Sequence, residues 1–226
     1  MIFVVSGYRR TGTSAMMKAL HKGGIPAIFS PHIEDGNPDA SGYQPNPGGL
    51  WEVGFNQYMN AKFLRKFIPD DSVIKIMFDG LPCLPQRAYK IIFMERDPEE
   101  ITASTDRVDK HIIEAARESM RPVSEELHRE ILEGNLDVPG TKILPFCNFR
   151  PYDQEDIDHV LGICDARSDM HVIRVNYHDL IRHPRHEFET LRLKGAPINV
   201  DKATSVIDPT LHRMRKELWQ AAQKQA

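Results

Sequence analysis

The sequence predicts an α/β fold, a three-layer α/β/α sandwich with a central parallel sheet. Short apolar runs recur along the chain, and segments with helical spacing separate them. This alternation is typical of parallel strands that are joined by right-handed helical crossovers. A length of 226 residues suits one domain. We therefore predict a single domain over residues 1–226, with a helical insertion around residues 111–155.

Each predicted element follows the spacing of its apolar residues. Runs without alternation indicate buried strands, and these are Ile2–Val5, Val73–Phe78, Lys90–Met94 and Met170–Val175. Helical spacing and capping signals indicate helices from Thr13 to Gly23-Gly24, over Trp51–Lys66, from Pro98 after an Asp97 cap, across the charged stretch 111–135, and over Asp156–Arg167, Arg185–Leu193 and Asp208–Gln223. Residues 30–49 and 136–153 are predicted loops, and residues 81–88 are predicted as a turn or short helix.

Composition restricts the classes of function. The net charge is -3 and the pI is about 6.4, so no overall basic field favours nucleic acid. Cys83, Cys147 and Cys164 are scattered, which indicates reduced thiols rather than a disulfide framework or a zinc site. The first strand begins at residue 2, and no apolar run reaches membrane-spanning length. We therefore expect a cytoplasmic chain with no metal, no nucleic-acid partner and no membrane span.

The loop after the first strand is the most informative stretch, and it reads Gly7-Tyr8-Arg9-Arg10-Thr11-Gly12-Thr13-Ser14. A glycine-containing loop between a strand and a helix directs backbone N–H groups and the positive helix end at an anion. The spacing matches the Walker A pattern, except that Thr13 stands at the lysine position and the cations lie upstream. We predict a P-loop-type fold that binds phosphate or sulfate here. An ordinary strand–turn–helix with surface arginines is the alternative.

A second polar stretch follows the strand Lys90–Met94. Arg96 leaves the end of that strand, and Ser104 lies two turns into the next helix. Ligands of parallel sheets bind outside the carboxyl ends of the strands. We therefore expect the two stretches to face one ligand, although helix capping explains Asp97 and Pro98 equally well.

Together these stretches resemble the PAPS-dependent sulfotransferases of bacterial type, where PAPS is 3′-phosphoadenosine 5′-phosphosulfate. The first loop resembles the family's 5′-phosphosulfate loop, and Arg96 with Ser104 resembles its 3′-phosphate site. The resemblance implies that Arg10 is the essential cation, while Arg9 replaces a proline often found there. The donor-binding residues that it implies are Arg9, Arg10, Thr11, Gly12, Thr13, Ser14, Arg96, Ser104 and Arg213.

Three further segments carry the resemblance. Residues 46–52 are similar to an N-P-x-G-aromatic-aromatic-Glu segment, with Leu50 at one aromatic position. Residues 207–213 resemble an I-D-P-S-L-x-R signature that ends at Arg213, and residues 175–180 resemble V-x-Y-E-D-L with His178 in place of glutamate. Packing of a small domain explains these three segments about as well.

The resemblance implies transfer of a sulfuryl group from PAPS to a hydroxyl or amine of a small-molecule or glycan acceptor, with release of PAP. The candidates for the general base are Glu52, then Asp79 and His32, and a carboxylate base needs burial to act at neutral pH. Glu52 is explained equally well by the helix dipole. Lys75 is an alternative contact for donor or acceptor.

Two rival functions remain open. One is a small-molecule or nucleoside kinase with a degenerate P-loop, and the other is a non-catalytic PAP- or nucleotide-binding protein.

Overall fold

The computed structural model describes residues 1–29, 49, 51, 68–107 and 152–211. Within these ranges, five strands form one all-parallel sheet in the order β2-β3-β1-β4-β5. The strands are β1 (Ile2–Gly7), β2 (Ala27–Ile28), β3 (Val73–Lys75), β4 (Tyr89–Glu95) and β5 (Met170–Asn176). The predicted α/β fold with a parallel central sheet is confirmed. The helices predicted over Trp51–Lys66 and 111–135 lie outside the described residues, as does most of the insertion predicted around 111–155.

The helices and turns of the described part connect these strands. The α-helices are α1 (Thr13–Lys22), α2 (residues 98–107), α3 (Gln154–Asp165), α4 (Tyr177–Arg182), α5 (Pro184–Leu193) and α6 (Val200–Thr204). Short 3-10 helices cover Phe78–Cys83 and Pro209–Leu211. The predicted helix ends are confirmed at two places. Gly23 is the C-cap of α1, and Asp97 Oδ1 accepts a hydrogen bond from the Glu99 amide at 2.9 Å at the start of α2.

The prediction of a strand over Val73–Phe78 is wrong at its carboxyl end. The strand stops at Lys75, and Phe78–Cys83 turns as a 3-10 helix. Gly80 and Pro82 explain this change, because both residue types favour turns over an extended ladder. Strand β2 was not predicted, since two half-buried residues are too few to produce a periodic pattern.

Two apolar clusters lie on opposite faces of the sheet. One contains Phe3 and Val5 with apolar residues of α1, α4, α5 and α6. The other contains Ile2 and Val4 with Ile101 of α2 and apolar residues of α3. Alternate side chains of one strand therefore enter different clusters, as strand geometry requires. The described residues are consistent with a three-layer α/β/α arrangement.

The strand order has one point of reversal, and it lies between β1 and β4. From β1 the chain passes through α1 to β2 on one side of the sheet. Helix α2 follows β4 and packs on the opposite face of the sheet from α1. Strand β5 lies beside β4, at the opposite edge of the sheet from β2. Such a reversal opens a crevice outside the carboxyl ends of the two strands, which is where open α/β sheets bind ligands.

The amino ends of β4 and β5 are fixed by a polar cluster far from that crevice. Arg167 Nη2 lies 2.8 Å from Asp169 Oδ2, and Arg167 Nη1 donates to the Leu84 carbonyl at 2.8 Å. The Arg87 amide also donates to Asp169 Oδ2, at 3.0 Å. The hydrogen bond from Arg167 lowers the pKa of Asp169 below its usual value. The cluster joins the turn before β4 to the start of β5.

Candidate functional site

The loop between β1 and α1 passes close against β4. A Cβ atom at Gly7 would lie 2.6 Å from the carbonyl oxygen of Met94, so only glycine fits there. Thr11 Oγ1 donates to the Tyr8 carbonyl at 2.7 Å and closes the turn. Arg10 has φ +69°, in the left-handed region that non-glycine residues seldom adopt. The loop is therefore a tight, specific structure.

Helix α1 begins at the end of this loop and directs its N-terminus into the crevice. Its N-cap is Gly12, with φ +94° and no side chain, and its first turn contains no acidic residue. The first backbone N–H groups of a helix favour an anion. A Cβ atom at Gly12 would lie 2.3 Å from Cδ2 of Tyr177, so the loop rests on that ring.

The side chain of Arg10 connects the two stretches that the sequence singled out. Its Nε atom donates to Ser104 Oγ at 3.0 Å, across 94 positions of the chain. Ser104 is buried within α2, with 3% of its surface exposed. A loop cation and a helix hydroxyl thus meet at the carboxyl ends of β1 and β4.

Arg96 lies at the centre of a buried polar network, and its side chain is only 7% exposed. Its Nη1 atom donates to the Arg10 carbonyl at 3.0 Å, and its Nε atom donates to Glu100 Oε2 at 2.9 Å. The guanidinium also stacks over the Tyr177 ring, 4.7 Å from the centroid. His178 Nε2 lies 3.0 Å from the same Glu100 oxygen. The network therefore links α2, α4 and the loop.

Lys75 adds a third cation from the neighbouring strand. It ends β3, where it is in register with Val5 of β1, and it is 6% exposed. Its Nζ atom donates to Ser14 Oγ at 3.2 Å, in the first turn of α1. The resemblance implies an anion-binding role for Ser14, and this contact brings an ammonium group to the same place.

A cavity of about 220 Å³ adjoins the loop on the side of α2 and α3. Its walls include the aromatic rings of Tyr8, Phe93 and Tyr152, and Thr11 and Arg96 also line it. The rings of Tyr8 and Tyr152 meet edge to face, with centroids 5.3 Å apart. Burial raises the pKa of Tyr152, so its hydroxyl stays protonated near neutral pH. A compartment with both aromatic and polar walls thus borders the cationic crevice.

The structure brings most of the predicted donor-binding residues together, but it describes only one of the predicted bases. Arg9 and Thr13 belong to the loop and the first turn of α1, beside the residues above. Asp79 is exposed on the 3-10 helix after β3 and lacks the burial that a carboxylate base requires. The predicted site residues Glu52, His32 and Arg213 lie outside the described residues.

Sequence reasoning missed the roles of Glu100 and Tyr177. A signal existed for Glu100, since it is four residues after Arg96 on a helix, a spacing at which side chains meet. The contact between Glu100 and His178 joins residues 78 positions apart, and the sequence carries no local signal for it.

Comparisons with known proteins add no family to these observations. No protein-family model matches the chain, and no curated protein matches it either. Within the described ranges, no group of three His, Cys, Asp or Glu side chains could hold a metal ion. Among the same residues, no helix has the length and apolar character needed to cross a bilayer. The residues and contacts of the crevice are therefore the basis for a function.

Proposed function

We propose that this protein is a sulfotransferase of P-loop-type fold that moves a sulfuryl group from PAPS to a hydroxyl or amine and releases PAP. The acceptor is a small molecule or a glycan, and the scattered cysteines support a reducing, cytoplasmic location. The observation that carries the proposal is the 3.0 Å hydrogen bond from Arg10 Nε to Ser104 Oγ. It joins the loop that resembles a 5′-phosphosulfate site to the helix that resembles a 3′-phosphate site.

The charges around the crevice suit a donor with two anionic ends. Lys75 reaches the first turn of α1, Arg10 reaches Ser104 on α2, and Arg96 donates to the Arg10 carbonyl in the loop. The helix N-terminus adds its partial positive charge without an acidic side chain to oppose it. PAPS carries a 5′-phosphosulfate and a separate 3′-phosphate, so it matches these groups better than a single small anion does.

The contact between Lys75 and Ser14 favours sulfuryl transfer over phosphoryl transfer. In Walker A loops, the hydroxyl at the Ser14 position binds Mg²⁺. Here the Lys75 ammonium lies 3.2 Å from that hydroxyl. A fixed cation at this place repels a metal ion and supplies positive charge itself. A donor that needs no bound Mg²⁺ is therefore the better match.

The chemistry follows from these positions. In transfer, the bond between sulfur and the bridging oxygen of the 5′-phosphate breaks, and a bond forms between sulfur and the acceptor atom. The acceptor loses its proton to a general base, and negative charge develops on the leaving phosphate. Arg10, Lys75 and the amides of the loop stabilise that charge. Glu52 and His32 remain the proposed bases, with Asp79 as the exposed alternative.

Calorimetry with two ligands tests the proposal directly. We expect the protein to bind PAP and to bind Mg-ATP much more weakly. A preference for Mg-ATP would instead indicate the kinase. Incubation with PAPS and a panel of sugars, lipids, phenols and amines then separates an enzyme from a binding protein. Acceptor-dependent release of PAP is expected from the sulfotransferase, and PAP binding without any release would contradict catalysis.

A further inference from the structure

We propose that Glu100 and His178 are positioning residues of the crevice, which act through Arg96 and do not touch the ligand themselves. The inference rests on the proposed function only for the identity of the ligand. The buried polar network runs from His178 on α4 through the carboxylate of Glu100 and the guanidinium of Arg96 to the carbonyl of Arg10. It thereby connects a helix that follows β5 to the loop that follows β1.

Glu100 is a buried carboxylate with cationic and polar partners. Its side chain is 3% exposed, and Oε2 lies 2.9 Å from Arg96 Nε and 3.0 Å from His178 Nε2. A buried carboxylate is costly unless it is paired and hydrogen-bonded. Its position in the first turn of α2 adds the favourable field of the helix N-terminus. Glu100 therefore fixes the groups that pair with it.

The guanidinium of Arg96 is the main group that Glu100 holds in place. This group is planar and its donors form a rigid fork. With Nε held by Glu100 and one face stacked on Tyr177, the plane of the fork is set. Nη1 then reaches the carbonyl of Arg10 at 3.0 Å. Because Arg10 has an unfavourable positive φ, this hydrogen bond stabilises the loop conformation that presents the Arg10 side chain.

His178 holds the carboxylate from the other side. A carboxylate oxygen accepts hydrogen bonds, so Nε2 of His178 carries the hydrogen in this contact. In the pattern that residues 175–180 resemble, glutamate stands at this position. A glutamate here would bring a second carboxylate against Glu100, and the two charges would repel. Glu100 and His178 therefore form a matched pair in this chain.

A double-mutant cycle on PAP binding tests the inference. We expect Glu100→Ala to weaken PAP binding about tenfold in the wild-type background and less than about twofold in an Arg96→Ala background. Glu100→Gln is expected to restore most of the loss, because the hydrogen bonds from Arg96 and His178 go to the same oxygen and an amide oxygen can accept both. Equal losses in both backgrounds, or no loss in either, would overturn the positioning role.

A second variant keeps the test valid if Glu100→Ala fails to fold. His178 is 28% exposed, so His178→Glu is tolerated more readily than a change in the core. It is expected to weaken PAP binding severalfold, whereas His178→Gln, which keeps an N–H donor, is expected to bind as the wild type does. Wild-type affinity in His178→Glu would contradict the role of His178.

Inorganic pyrophosphate separates this inference from the proposed function. A protein that binds pyrophosphate but not PAP would contradict the proposed donor, and the same cycle is then measured with pyrophosphate. Binding of PAP with additive losses would contradict the positioning role alone. A wild-type protein that binds neither ligand would overturn both.

Discussion

The Nζ atom of Lys75 lies 3.2 Å from the Oγ atom of Ser14, although 61 positions separate the two residues. The parallel pairing of β1 with β3 brings them together, since Lys75 is in register with Val5 of β1 and Ser14 lies in the first turn of the helix that follows β1. Arg96 reaches the loop in the same way from β4. The crevice is therefore built at the carboxyl ends of three adjacent strands, with Lys75 from β3, Arg10 from the loop after β1 and Arg96 directly after β4.

Loss of the Lys75 ammonium is expected to weaken donor binding. Lys75→Met keeps the length of the buried side chain but removes a charge-assisted hydrogen bond, which contributes about 1.5–3 kcal/mol. We expect PAP affinity in calorimetry to fall by about tenfold or more. Lys22→Met is the control, because Lys22 is exposed at the far end of α1. An equal effect of the two substitutions would show that Lys75 contributes only to net charge.

Arg10 is expected to be essential for transfer. Arg10→Ala removes the cation that we propose to face the developing charge, and loss of one such donor reduces turnover about 10²–10³-fold. The measurement is the rate of acceptor-dependent PAP release. Arg185→Ala serves as the control, because Arg185 is exposed on α5 at a distance from the loop. Turnover by Arg10→Ala at the rate of the wild type would refute the assignment.

Because Gly12 lies against the Tyr177 ring, we expect Gly12→Ala to destabilise the protein more than other glycine-to-alanine substitutions at a positive φ. Gly12→Ala combines a positive φ with a Cβ atom 2.3 Å from the ring. Gly24→Ala isolates the first effect, because Gly24 has φ +105° and open space where its Cβ would lie. We expect Gly24→Ala to lower the free energy of unfolding by about 1–2 kcal/mol and Gly12→Ala to lower it further. Urea unfolding compares them, and equal losses would argue against a tight contact.

The cluster at the amino ends of β4 and β5 predicts a pH-dependent contribution to stability. The pKa of Asp169 is lowered from its ordinary value of 3.8, chiefly by its hydrogen bond from Arg167. This stabilisation is fully present above that value and disappears as the pH falls through the lower, folded-state pKa. Asp169→Asn should therefore lower the free energy of unfolding by on the order of 1 kcal/mol at pH 7. The effect is small because solvent partly screens the charges of this cluster.

Urea unfolding of wild type and Asp169→Asn at several pH values measures this contribution. The difference in the free energy of unfolding between wild type and Asp169→Asn should be constant from pH 7 to pH 5 and should shrink as the pH falls below about 4. A difference that grew on acidification would contradict the lowered pKa.

The cysteines are expected to differ in reactivity. Burial raises the pKa of the Cys164 thiol to about 11, so about one thiol in a thousand is ionised at pH 8. Cys83 is partly exposed. Brief alkylation of the native protein at pH 8 should label Cys83 and spare Cys164, as read by peptide mass spectrometry. Both should react in urea, and native labelling of Cys164 would contradict its burial.

The parts of the fold with a local signal were predictable, and those that depend on distant partners were not. The uninterrupted apolar run of β1 and the glycines after it indicated strand, loop and helix start correctly. Asp97 and Pro98 indicated the start of α2, because capping is decided by neighbouring residues. Local patterns missed β2 and extended β3 too far.

The candidate site shows the same division. The glycine spacing and the two adjacent arginines are local signals that indicate the loop, and the end of an apolar run indicates Arg96. Arg96 is paired with Glu100, and the same Glu100 oxygen contacts His178, which lies 78 positions further along the chain. Tertiary contact, rather than spacing along the chain, decides whether such a cation projects towards a ligand or supports the loop behind it.

The ring of Tyr177 has a consequence for the order in which the protein matures. It contacts both Gly12 and Arg96, yet it is synthesised long after both. A nascent chain that ends before β5 carries the loop and its cations but lacks the ring that holds them together. Because domains complete their folding as units during synthesis, we expect the contacts that hold the loop to form only after β5 and Tyr177 have been synthesised.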